Sequence, residues 1–466
     1  SPKLQAHFKS PASAGLFYCH EPVMTNSTAA APVDTLIEAR WIAPVDPPGT
    51  VLEGHAIAVS DGNIVGIVPA ARALDHYRPA KHLRLPAHLL IPGLVNLHTH
   101  AAMSVMRGLA DDLPLMDWLQ HHIWPVEMRH VSPKFVEDGT RLACAEMLKG
   151  GVTCFNDMYF FPEAAAEAAL ASGMRASLGI IVIDFPSPYA SDAGDYLSKG
   201  IATRDALRDA SLVSFCLAPH APYSVSDAVL ERVAVYAGEL DIPVHTHIHE
   251  TAHEVAESLK THGIRPLARL SRHGLTGAGL IAVHAVHLDD GEIELLKEGA
   301  CSVAHCVSSN LKLASGIAPV TRLHAAGVNT GIGTDGAASN NRLDMLCEMR
   351  MAALVAKGMS GDPTALSAHT ALQMATINGA RALRLDPLIG SLVPGKRADI
   401  VAVDLGALEL APCYDPISHL VYAAGREHVS HVWVDGRPRV ADGQLVDIDI
   451  RELTAKAHYW KDKIRS

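Results

Sequence analysis

Aromatic residues make up only 5% of this 466-residue chain. No apolar stretch approaches the roughly 20 residues that a membrane-crossing helix requires. The run 175–184 is far too short, and the uncharged stretch 210–226 is interrupted by Pro219, His220 and Pro222. Basic residues are outnumbered, 39 against 50 acidic ones, for a formal charge of −11, and they form no basic run or stripe. A phosphate-backbone partner needs a basic footprint, so nucleic acid is not expected as a partner. The eight cysteines (19, 144, 154, 216, 301, 306, 347 and 413) contain no Cys-x-x-Cys pair. That excludes a thiolate metal site of the usual spacing and reads as small core residues in a reducing compartment.

The first thirty residues lack a charged segment leading into a clean apolar stretch, so no secretory signal is expected and the cytoplasm is the default location. The first methionine is Met24, and residues 1–32 are read as a disordered or upstream segment outside the fold. No Gly-x-Gly-x-x-Gly follows an early strand; Gly331-Ile332-Gly333 comes late and leads to Asp335, which sets aside a dinucleotide-binding reading. The cytidine-deaminase signature is missing too, since Pro412-Cys413 continues as Tyr414-Asp415-Pro416. No repeat of solenoid type is present.

What remains is a globular enzyme composition, 48% hydrophobic and 19% charged, long enough for one large core and a smaller second unit. Short β-like runs at 35–37, 56–59 and 64–67, with an Asp61-Gly62-Asn63 turn, suggest a small antiparallel sheet. Runs at 400–403, 431–434 and 443–446, with Asp435-Gly436 as a hairpin turn, suggest another. Neither end can bury a core alone, so 33–90 and 393–450 are expected to form one composite β-sandwich, followed by a C-terminal helix at 451–466. Between them strand-like and helical patterns alternate: 212–217, 225–240, 244–247, 251–261, 280–285, 290–298, 301–304 and 328–331. Repeated strand–helix units imply a parallel sheet, and the length of 91–392 suits an α/β (β/α)8 barrel.

The chemistry-bearing residues fall at the ends of these strands. With 27 histidines, about one or two His-x-His matches arise by chance, so His98-Thr99-His100 alone could be a pair of surface side chains. It closes the apolar run 89–97, however, and alternate strand residues share a face. His245-Thr246-His247-Ile248-His249-Glu250 closes another strand, and spacing does not say which of its histidines would ligate. His284, with His287 behind it, ends the run 280–283. Asp335, in Gly333-Thr334-Asp335-Gly336, ends a fourth strand; alone it reads as a turn or cap. Together, four strand ends deliver imidazole and carboxylate groups suited to zinc, or less often iron. Such an ion lowers the pKa of a bound water towards 7, and Glu250 is the natural general acid/base.

The chain resembles the amidohydrolase superfamily over 33–450. Within it, the chain is similar to the 5'-methylthioadenosine/S-adenosylhomocysteine deaminase group of the chlorohydrolase-like branch. The residues that carry this are Pro92-Gly93-Leu94-Val95-Asn96-Leu97-His98-Thr99-His100, Gly108-Leu109-Ala110-Asp111-Asp112-Leu113-Pro114-Leu115, Trp118, and His122-Ile123-Trp124-Pro125-Val126-Glu127, with His247 to Glu250 and Gly333 to Gly336. The resemblance implies His98, His100, His247 and Asp335 as ligands of one divalent metal, Glu250 as proton shuttle, and His284 beside the tetrahedral centre. It further implies Glu127 on the ribose hydroxyls, His220 on the nucleoside, and Trp118 and Ser339 along the pocket. The implied reaction is hydrolytic deamination, in which hydroxide attacks C6 of a 6-aminopurine while Glu250 protonates N1. Asp335 can share the water's proton.

Binuclear members of the superfamily carry a lysine at the end of strand four. Here that strand, 213–219, leads to His220, so one metal is expected. The group's pattern places arginines after strand three against the homocysteine carboxylate, yet 178–194 contains none, and an anionic tail without a cationic partner gains little. Methylthioadenosine and adenosine are therefore expected above S-adenosylhomocysteine. The rival readings are the same fold acting on guanine or an s-triazine, and a non-catalytic barrel scaffold; the intact ligand set speaks against the scaffold. The oligomeric state is open, a homo-oligomer included.

Overall fold

The computed structural model describes residues 30–466; most of the segment set aside at 1–32 lies outside the described residues. Strand β1 (Ala31–Ile42) runs antiparallel to β2 (Leu52–Ser60), which turns at Asp61-Gly62 into β3 (Asn63–Pro69). Gly62 sits at φ +76, in the left-handed region that tight hairpin turns demand. Strand β4 (Tyr77–Pro92) then pairs parallel with β1.

At Gly93 the chain changes sheets. Its N–H donates to the Asp399 carbonyl at 2.9 Å, and a Cβ there would lie 2.0 Å from the Thr153 hydroxyl oxygen, so only glycine fits. The apolar run 89–97 is therefore not one strand: its first half ends β4, and its second half is β5 (Leu94–Thr99) of a different sheet.

That second sheet is parallel throughout and in chain order: β5, β6 (Val152–Tyr159), β7 (Arg175–Val182), β8 (Val213–Pro219), β9 (Val244–Ile248), β10 (Leu280–His284), β11 (Ser302–His305) and β12 (Asn329–Ile332). Helices connect the strands, as parallel pairing requires. The last strand returns to the first. The Asn96 side chain accepts the Thr334 N–H at 2.9 Å and donates to the Thr334 hydroxyl at 2.7 Å, while the Asp335 N–H donates to the His98 carbonyl at 2.9 Å. This is the expected (β/α)8 barrel.

The chain then rejoins its beginning. Strand β13 (Ile400–Asp404) pairs antiparallel with β4, and β14 (Val429–Val434), β15 (Arg437–Ala441) and β16 (Gln444–Leu445) extend the sheet to eight strands. Ile37, Ile57, Ile64, Leu90, Ile400 and Trp433 share one buried cluster, so strands from both chain ends cover the same core. The composite unit is one mixed sheet of eight strands that covers that core. The helix Ile450–Arg465 packs Trp460 against Phe135 of the helix Pro133–Lys149. Among the described residues, no helix is long and apolar enough to cross a membrane.

Candidate active site

The barrel strands end in backbone that few side chains adopt freely. His249, His284, Ala285 and Asp335 have φ values of 54, 70, 48 and 63. Such left-handed positions cost about 1–3 kcal/mol each and concentrate where function fixes the chain. Here they turn the chain sharply at the C-terminal mouth, where barrel enzymes carry their chemistry.

Five of the side chains singled out in the sequence meet there. His98 Nε2 lies 3.2 Å from His247 Nε2 and 3.3 Å from Asp335 Oδ1, and His100 Nε2 lies 3.3 Å from the same oxygen. His284 joins His98 and His247 in a second candidate metal-holding triplet. The outer nitrogens are committed: His100 Nδ1 donates to the Met158 carbonyl at 2.6 Å and His247 Nδ1 to the His220 carbonyl at 2.9 Å. Their Nε2 atoms therefore carry lone pairs directed inward, the usual arrangement of metal-ligating imidazoles. Burial lowers the His98 pKa to about 4 and holds His247 well below its ordinary value, so both are neutral, as ligands must be. Lone pairs facing one another in a buried space need a cation between them, and this donor set fits zinc. Among the described residues, none of those lining the cavity is a lysine that could bridge a second ion.

Glu250 sits beside this cluster, 3.9 Å from His284 Nε2 and 3.5 Å from the Ser315 hydroxyl. Burial pushes its carboxyl above the ordinary range, with His284 pulling it down and Asp335 adding to the rise. His100, His220, His247, Glu250, His284 and Asp335 line one cavity of about 290 Å³, together with Trp118, Glu127 and Ser339. His98 is fully buried behind them. Glu127, on the helix Trp124–His130, accepts the Tyr159 hydroxyl at 2.7 Å. Burial pushes its carboxyl up to about 7 against that hydrogen bond.

Most of the remaining wall is apolar, and 178–194 supplies Ile181, Ile183, Phe185, Pro186 and Pro188 along with Ser187. Arg204 pairs with Asp205 and Arg208 with Asp209, and neither lines the cavity.

Several residues in this network carry no motif. The Ser309 hydroxyl donates to Asp335 Oδ2 at 2.5 Å, and Asn310 Oδ1 faces His284 Nδ1 at 2.8 Å. Both sit on the short helix Val307–Lys312. The Glu254 carboxylate accepts the N–H groups of His249 and Glu250 at 2.9 and 2.8 Å. Their only sequence signal is position just after a barrel strand.

A parallel barrel that gathers histidines and an aspartate around a cation position, with a free carboxyl alongside, defines a metal-dependent hydrolase. The amidohydrolase family profile matches residues 89–439, and the chain belongs to that family. A 5-methylthioadenosine/S-adenosylhomocysteine deaminase of Saccharophagus degradans is 48% identical over 95% of this chain and 99% of the relative. The crystal structure of an adenosine deaminase from Xanthomonas campestris with bound zinc superposes with a TM-score of 0.93. It is 51% identical, with 94% of this chain and 100% of the other covered. An atrazine chlorohydrolase from Arthrobacter aurescens, complexed with zinc, is 24% identical over 91% and 99% of the two chains. Its TM-score of 0.82 shows a shared fold.

Proposed function

We propose that the chain is a zinc-dependent hydrolytic deaminase that converts a 6-aminopurine nucleoside to its 6-oxo product and ammonia. The observation that carries this reading is the convergence of His98, His100, His247 and Asp335 within about 3.3 Å of one another along a chain of close contacts, with Glu250 free beside them.

In this reading those four side chains hold the ion. A zinc ion bound there supplies the Lewis acidity that brings the pKa of water towards 7. Glu250 moves the protons: it passes one from the water to N1 as C6 gains its hydroxyl, then carries that hydroxyl's proton to the amine as ammonia leaves and C6 becomes a carbonyl. A carboxyl raised by burial suits both tasks. His284, held by Asn310, orients the tetrahedral centre, and Asp335 shares the proton lost by the water. Glu127 accepts the ribose hydroxyls, His220 meets the nucleoside, and Trp118 and Ser339 shape the wall.

The largely apolar wall at 181–188 and the absence of arginine from the lining among the described residues support 5'-methylthioadenosine and adenosine over S-adenosylhomocysteine, whose charged tail would lose water without gaining a partner. A base alone, such as guanine or an s-triazine, would leave Glu127 unused. The barrel at 91–392 is the catalytic unit in this reading, with 33–90 and 393–450 as its composite companion. All seven cysteines among the described residues are unpaired, which supports a reducing, cytoplasmic setting.

Ammonia release from adenosine, methylthioadenosine, S-adenosylhomocysteine and guanine tests the whole. The expected order puts the first two substrates well ahead. A higher kcat/KM on the homocysteine substrate overturns the reading of the wall, and activity confined to guanine overturns the nucleoside reading.

A further inference from the structure

Glu127 is a buried carboxylate, and among the described residues no lysine, arginine or histidine forms an ion pair with it. Its one side-chain hydrogen-bond partner among the described residues is the Tyr159 hydroxyl at 2.7 Å. Tyr159 closes β6, so it stands on a rigid barrel strand, whereas Glu127 belongs to a helix outside both sheets. Both side chains line the cavity and both are buried. The Tyr159 ring packs against Phe160 with centroids 5.3 Å apart, which restrains the ring and so the place of its hydroxyl oxygen.

A carboxylate offers about four acceptor sites, and Tyr159 occupies one, on Oε1. That leaves Oε2 for hydroxyls entering the cavity. We propose that Tyr159 is a positioning residue for the nucleoside: its hydroxyl holds Glu127 in the rotamer that presents Oε2 to the ribose 2'- and 3'-hydroxyls. This rests on the ribose role of Glu127 and extends it. Burial drives Glu127 towards its protonated form, and the Tyr159 hydrogen bond, followed by the nearby His100, opposes that rise. Removing the hydroxyl both frees the side chain to rotate and weakens it as an acceptor. A role confined to packing would instead affect every substrate alike.

The test compares Tyr159→Phe and Glu127→Gln on adenosine and on 2',3'-dideoxyadenosine, which lacks both hydroxyls. Tyr159→Phe removes one oxygen and leaves the ring in place, and thermal melting checks that the fold is retained. On adenosine it is expected to lower kcat/KM about tenfold, the scale of one hydrogen bond to a charged group. The loss should fall on KM, with kcat within about twofold. On the dideoxy substrate both variants should match the parent within about twofold. In the double variant, Tyr159→Phe should add nothing to the Glu127→Gln loss on adenosine.

Equal losses from Tyr159→Phe on both substrates overturn the proposal, because the residue then only shapes the wall. A loss in Glu127→Gln on adenosine with none in Tyr159→Phe overturns it while the ribose role stands. If Glu127→Gln does not distinguish the two substrates, the ribose role falls and the proposal falls with it.

Discussion

The backbone N–H of Asp335 donates to the carbonyl oxygen of His98 at 2.9 Å, so a hydrogen bond between two residues of the candidate metal cluster helps to join the last barrel strand to the first. The close approach is permitted by Gly333, where a Cβ would stand 2.8 Å from the His98 nitrogen. Closure of the barrel therefore places Asp335 beside His98. Because the bond uses backbone only, Asp335→Ala keeps it and removes only the carboxylate. The folded protein should persist by circular dichroism while bound zinc and ammonia release fall. The loss should exceed the roughly 10–100-fold typical of residues that merely support a ligand. Full zinc stoichiometry in the variant would remove Asp335 from the ligand set.

Glu250 makes a separate prediction, because the proposed reaction passes its protons through a side chain outside the candidate metal cluster. Glu250→Gln preserves shape and removes the proton. Zinc content by elemental analysis should stay at the parent level, while kcat on adenosine drops about 10²–10⁴-fold, the usual share of a positioned acid/base. Residual kcat above a tenth of the parent value would transfer the proton work to another group.

The pair His98 and His100 was legible because strand alternation places both on one face. The same rule puts His245 and His247 on one face and cannot choose between them. Depth decides: His247 Nε2 meets His98 Nε2, whereas His245, one pleat further in, faces His98 Nδ1 at 2.9 Å. His249 turns away to accept the Leu267 N–H at 3.1 Å. Strand β4 escaped notice because its first half is exposed and polar, with Pro79 in it, and carries no apolar period. Tyr159, Ser309 and Asn310 were silent for another reason. Each acts through one contact between segments 26 to 32 residues apart in the chain, and no local pattern encodes such a contact.

Glu254 holds the backbone of Glu250, the proposed proton shuttle, from behind. Its two oxygens accept the N–H groups of His249 and Glu250, pinning the turn where His249 adopts φ 54. Glu254→Ala orphans two buried donors at about 1–3 kcal/mol each. The expected result is a lower unfolding midpoint together with a kcat loss of about 10-fold, the scale of outer supports, at unchanged zinc content. A variant that loses stability but keeps kcat would make the contact purely structural.

The carboxyl of Glu127, raised to about 7 by burial against the Tyr159 hydrogen bond, gives a pH dependence with a definite sign. Above that value it is ionised and accepts hydroxyls; as pH falls through it, the carboxyl takes up a proton and acceptor capacity is lost. KM for adenosine should therefore rise as pH drops from 8 to 6. In Glu127→Gln, which cannot titrate, KM should be higher but flat over that range. A KM that climbs equally in both proteins would assign the limb to another group.

The C-terminal helix gives a prediction about stability alone. Trp460 is buried, donates its indole N–H to Asp138 at 3.1 Å, and stands edge-on to Phe135 with centroids 5.1 Å apart. Lys456 and Lys134 approach the same carboxylate at 3.1 and 2.9 Å. Trp460→Ala empties that space and leaves Asp138 without its neutral donor. The expected cost is about 3–5 kcal/mol, read as a shift in the denaturant midpoint. Trp460 is not among the cavity-lining residues, so kcat/KM on adenosine at 25 °C should stay within about twofold while the protein is folded. A midpoint that does not move would mean that the helix Ile450–Arg465 contributes nothing to holding Pro133–Lys149 in place. A loss of activity without loss of stability would instead trace a path from Trp460 to the segment after His100, where the helix backbone at Gly139 presses on the Ala102 carbonyl so closely that a Cβ would stand 2.2 Å from it.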